Sequence, residues 1–133
     1  MRLIAIALAT VLLSACAALP TQQEMAAADY GGPVTQPDAE SAAKNFLSSR
    51  LKDPYSAVWQ CQPVQKGYFR DSRISGGHLH YGWEMNCMVN AKNAFGGYVG
   101  SKSYMFLFRD GSLVSALGEE DLGSGVTMMQ KML

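Results

Sequence analysis

His78 and His80 are the only two histidines in the chain; they stand one residue apart and are followed by Glu84. On an extended strand, residues two apart project to one side about 6.6 Å from each other, so the pair could share a zinc or copper ion. Glu84 has the same parity but lies about 13 Å further along the strand, too far to complete the site. No third ligand can be picked out, and histidine pairs near glycines are common without metal. No metal residue is assigned, and whether His78 and His80 bind one stays open. Nucleophilic catalysis lacks parts as well: there is no Gly-x-Ser-x-Gly elbow, and two histidines at a strand start are ordinarily solvated. Gly96, Gly97 and Gly100 are not followed by the lysine and hydroxyl of a phosphate loop, and no Cys-x-x-Cys occurs. The chain is expected to be no enzyme, with no catalytic residues and no cofactor.

Cys16 offers a different chemistry. It closes Leu13-Ser14-Ala15-Cys16, behind Met1-Arg2 and a run from Leu3 to Leu13 that is apolar except for Thr10. A charged start, a short apolar core and small residues before a cleavage point make a secretory signal. Its eleven residues span only about half of a bilayer core, which disfavours a retained transmembrane helix. Leu13 to Cys16 resembles the lipobox of bacterial lipoproteins. The resemblance implies cleavage after Ala15, a diacylglycerol on the Cys16 sulfur and an acylated new amino terminus. At about 0.8 kcal/mol per buried methylene, three chains would hold the protein on a membrane permanently. Ala17 stands where Asp favours inner-membrane retention in families of understood sorting, so the implied location is the outer membrane, facing the periplasm. The alternative is an ordinary secreted protein cut after Ala15 or Ala17.

Cleavage leaves one domain's worth of chain, with 10 basic against 11 acidic side chains and so no electrostatic footprint for nucleic acid. Lys66, Arg70 and Arg73 come nearest to a basic patch and are diluted by Asp71. With Cys16 used by the anchor, Cys61 and Cys87 remain in an oxidising compartment and are expected to form a disulfide; buried free thiols are the alternative if the signal reading fails.

The elements that would position these groups follow from periodicity. Ala17 to Gln36, rich in Ala, Gln, Gly and Pro, reads as a tether, dividing the chain into a signal peptide (1–15), lipidated Cys16 with tether (16–36) and a folded domain (37–133). Pro37-Asp38 opens a helix capped by Thr35 or Gln36, with Ala39, Ala43, Phe46, Leu47 and Leu51 on one stripe; Pro54 stops it. From Ala57 the period becomes two. Leu79 to Ala91 alternates almost perfectly with polar residues, which puts Cys87 on the parity of Trp83 and Cys61 on that of Trp59, both on the core face. Ser101–Phe108 and Leu113–Leu117 flank an Arg109-Asp110-Gly111 hairpin signal. The expected fold class is α+β, one N-terminal helix packed on a three- to four-stranded antiparallel sheet. Met88, Met105 and Leu107 put an apolar spot on the opposite face, which the Met-rich end could cover as a short helix, unless it frays.

Asn90 to Gly100 and Leu51 to Ala57 together resemble a family of small bacterial envelope and phage-borne proteins of unassigned function, over residues 38 to 117. That family supplies no catalytic residues. Asn and Gly tolerate positive φ, so Asn90 to Gly100 is read as a shaped turn. Its Phe95 and Tyr98 are either clamps folded towards Pro54-Tyr55 or exposed anchors for a partner. Lys92, Asn93, Phe95 and Tyr98 are the candidate binding residues. The expected function is a lipid-anchored envelope protein with a binding or accessory role, held to the membrane by its acyl chains and to an envelope protein partner. The alternative is a small inhibitor or exclusion protein that blocks an enzyme or receptor; a metal-binding protein ranks third.

Overall fold

Thr21 and Glu24 satisfy each other's backbone N–H groups and start a short helix, α1 (Gln22–Ala27). A longer helix, α2 (Gln36–Ser48), begins where the Thr35 hydroxyl accepts from the Asp38 N–H at 3.3 Å and Pro37 occupies the first turn. The computed structural model describes residues 18–133; the apolar run and Cys16 lie outside the described residues.

Six strands follow: β1 (Asp53–Cys61), β2 (Gln65–Arg70), β3 (Leu79–Lys92), β4 (Lys102–Arg109), β5 (Ser112–Asp121) and β6 (Thr127–Lys131). All pair antiparallel in one sheet, in the order β1-β3-β4-β5-β6. β2 shares the outer edge of β3 with β1: β2 pairs residues 79–84, and β1 pairs residues 87–92. The β4–β5 turn has positive φ at Asp110 (52°) and Gly111 (76°), the mirror-image turn that suits the twist of paired strands.

The expected fold is corrected here. The molecule is a six-stranded sheet with two short helices, a sheet-dominated fold and not one helix on three or four strands. Two segments account for the difference. Gln65–Arg70 carries no strand alternation, since Tyr68 and Phe69 are adjacent; the pairing of β2 comes from the exposed edge of β3. The Met-rich end neither coils over the sheet nor frays but adds β6 to the edge of β5, from Leu117↔Lys131 to Asp121↔Thr127.

α2 lays Ala39, Ala43 and Leu47 on Met85, Cys87, Val89, Tyr104, Phe106, Phe108 and Ala116, and these form the core. Burying Leu47 completely contributes roughly 1.5–3 kcal/mol by removal of apolar surface from water. The opposite face is partly closed by curling of the sheet. Lys131 of β6 reaches across to Asp71 just beyond β2 (3.5 Å) and lies over the Phe69 ring (5.2 Å), so the two edges meet. Leu107 is consequently buried on this side, resting over Gly82, where an added Cβ would lie 2.5 Å from the Phe108 carbonyl.

Residues 29–32, read from composition as tether, dock on the sheet. Tyr30 is buried against Tyr81, the Trp83 indole N–H donates to the Gly31 carbonyl (3.2 Å), and Arg109 holds the Asp29 carboxylate (2.6 Å). Composition signals chain flexibility, but one buried aromatic and a charge-assisted hydrogen bond suffice to fix such a segment.

Candidate functional site

β3 gives the molecule a direction. At its start, Arg70, paired with Leu79, donates to the carbonyl of Ala18 (2.8 Å), so the chain enters at this end. The strand then runs 14 residues, about 40 Å, to Lys92. Beyond it lies the loop that carries Asn93, Phe95 and Tyr98.

This loop is built by Asn93. Its side-chain oxygen accepts from the N–H groups of Phe95 (2.9 Å) and Gly97 (3.1 Å), while its own N–H donates to the Gly97 carbonyl (2.8 Å). Gly96 takes a φ of +81°, which a side chain would strain. The loop is thus held by its own backbone, and Phe95 at its tip is 96 % exposed. Tyr98 closes the loop against β1: its hydroxyl donates to the Ser56 carbonyl (3.1 Å), and it is half-exposed.

Beside it, β1 carries a wide bulge. Asp53 pairs with Lys92 and Val58 with Asn90, so four residues of β1, 54–57, stand opposite a single residue of β3, Ala91. Asp53 accepts from the Ser56 N–H (3.2 Å), and the Ser56 hydroxyl accepts from the Lys92 N–H (2.9 Å), fixing the bulge to β3. Tyr55 stands on top of the bulge, fully exposed. A groove of about 620 Å³ runs from Tyr55 along α2 past Ser48 and Lys44 to Trp59. The Lys92 ammonium lies 5.4 Å from the centre of the Tyr98 ring.

The structure therefore brings the four sequence-predicted residues together with distinct positions: Asn93 as scaffold, Phe95 outermost, Tyr98 as strut and Lys92 at the base. Sequence reasoning missed Tyr55, whose exposure depends on a bulge that no periodicity announces. It also missed Arg50, Lys52 and Lys102, which join Lys92 around a second cavity under the loop. Their separation along the chain hides this convergence.

Among the described residues His80, unlike His78 two residues earlier, is engaged by other side chains. His80 Nε2 donates to the Asp71 carboxylate at 2.7 Å and its ring stacks on Phe69. Among the described residues no three His, Cys, Asp or Glu side chains gather as a metal set. The Asp71 carboxyl is held below its ordinary range by the hydrogen bond from His80 and by the charges of His80 and Lys131. Glu84 instead accepts a hydrogen bond from the Asn86 amide. Cys61 and Cys87 form a disulfide across directly paired positions of β1 and β3, with Cα atoms 4.1 Å apart. No helix among the described residues is long and apolar enough to cross a membrane. Comparison with known protein families, curated proteins and solved structures found no match to this chain.

Proposed function

We propose that this is a lipid-anchored protein of the bacterial outer membrane whose sheet domain binds an envelope protein partner through the Tyr55–Phe95 tip, without catalysis. The lipobox resemblance of Leu13 to Cys16 supports the anchor. The observation that carries the binding role is the fully exposed Phe95 on a self-bonded loop, at the end of β3 opposite Ala18. Rigid loops presenting aromatic side chains bind with little ordering cost, and aromatic anchors dominate interface energetics. Cys16 is two residues before Ala18, and two residues span about 7 Å at most. An anchor there leaves the tip facing away from the membrane, where a partner can approach it.

The test is affinity isolation of the lipidated protein from crosslinked envelopes. A discrete partner should be captured by the unaltered chain and lost with Phe95→Ala and Tyr55→Ala combined. Cys16→Ala should abolish fatty-acid labelling and release the protein from membranes; unchanged membrane association of that variant would sink the anchor.

A second reading, a small inhibitor or exclusion protein, is favoured by the exposure of Phe95, since one protruding aromatic on a loop suits insertion into a cleft. It predicts that the captured partner is an enzyme or receptor whose activity falls on binding.

A further inference from the structure

Arg50, Lys52, Lys92 and Lys102 line one cavity of about 260 Å³ between the end of α2 and the β3–β4 pair, floored by Val89, Ala91 and Tyr104. The ten basic side chains after Cys16 are otherwise scattered, and the chain as a whole is neutral. Lys44, Arg109 and Lys131 are ion-paired with carboxylates, but none of these four cations forms an ion pair among the described residues. The acids on neighbouring strands are engaged elsewhere: Asp53 accepts from the Ser56 N–H and Glu119 from the Ser103 N–H. Four like charges around one apolar-floored hollow repel each other, and an entering anion relieves that repulsion.

The size of the cavity restricts the occupant. Ligand pockets for whole small molecules start at about 300 Å³, so this one suits the end group of something larger. The cavity lies directly under the loop that presents Phe95, since Lys92 and Asn93 belong to both. We propose that it takes a carboxylate side chain from an acidic segment of the protein that meets the Tyr55–Phe95 tip. The inference rests on the reading of that tip as a protein-binding surface. Arg50 is preset for such a role: its guanidinium stacks on the Phe46 ring (3.8 Å) and donates to the Phe46 carbonyl, which limits its rotamer freedom.

The test uses the full-length lipidated protein in nonionic detergent and an end-blocked, dye-labelled peptide of alternating aspartate and phenylalanine, read by fluorescence anisotropy. Binding is expected, with asparagine in place of aspartate abolishing it. Arg50→Glu and Lys92→Glu should each weaken it by about tenfold or more, the scale of one charge-assisted hydrogen bond. Lys102→Gln, a milder change, should weaken it in the same direction, and Arg73→Glu, the same charge reversal at the opposite end of β3, should leave it unchanged. Unaltered melting of each variant establishes that the fold is intact. Peptide binding that ignores Arg50→Glu and Lys92→Glu, or falls equally with Arg73→Glu, overturns the proposal. Competition by inorganic phosphate at micromolar concentration also overturns it, by making the cavity a free-anion site. Loss of the tip reading is seen separately, as partner capture that survives Phe95→Ala and Tyr55→Ala together.

Discussion

The Tyr98 hydroxyl donates a hydrogen bond to the Ser56 carbonyl across the β1 bulge, while Phe95, three residues earlier on the same loop, touches almost nothing. The two aromatics that the sequence treated as equivalent are therefore divided between holding the tip together and projecting from it. Different responses to mutation follow.

Phe95→Ala should change folding stability by no more than about 0.5 kcal/mol, as expected of an exposed loop residue, and should weaken partner capture. Tyr98→Phe should cost about 0.5–1.5 kcal/mol through loss of one hydrogen bond. Chemical unfolding of both variants checks this; a large destabilisation by Phe95→Ala with capture intact per folded molecule would reverse the assignment.

The Cys61–Cys87 bond closes a loop of 26 residues, for which chain entropy gives a stabilisation of roughly 3–4 kcal/mol. Replacing both cysteines with alanine should lower the unfolding free energy by about that amount. Free thiols at both positions in protein isolated from cells under thiol-blocking conditions would mean that the bond does not form in the cell.

Asp71, held in place by His80 of β3, ties the two curled edges of the sheet together through Lys131 of β6. Its carboxyl is held below the ordinary value in the folded state, first by the His80 hydrogen bond. A depressed folded value means that its contribution is fully present above the unfolded pKa, about 4, and is lost as pH falls through the lower folded one. Asp29, lowered by the Gly31 N–H and by Arg109, follows the same sign. The melting temperature should accordingly decline as pH falls below about 4, and Asp71→Asn should flatten part of that decline while lowering stability at neutral pH. A variant whose profile parallels the original would show that the bridge does not couple the edges.

Deleting residues 126–133 removes β6, opens the edge of β5 and withdraws Met132, whose N–H donates to the Ala116 carbonyl at 2.8 Å and whose side chain packs on the core. An open strand edge beside newly exposed apolar surface favours association. Dye binding and apparent mass in solution should both rise. Unchanged values would mean that β6 is not docked in solution.

What the sequence determined by itself was whatever a short window encodes. Alternation from Leu79 to Ala91 specifies a strand with one buried face, because side chains on a strand point to opposite sides; Thr35, Pro37 and Asp38 specify a helix start, because exposed N–H groups there need an acceptor. The shared core-face parity of Cys61 and Cys87 made their disulfide legible in the same way. Only the tertiary structure decided β2 and β6. Their residues carry no clean period, and each becomes a strand because a neighbouring edge offers unpaired backbone groups. The same holds for the tip. The burial of Leu107 over Gly82, the pairing of His80 with Asp71, the exposure of Tyr55 and the convergence of Arg50, Lys52, Lys92 and Lys102 all depend on how curled strands bring distant residues together. Local pattern reports the face a residue prefers, whereas contacts between faces and edges are set by the packing of the whole sheet.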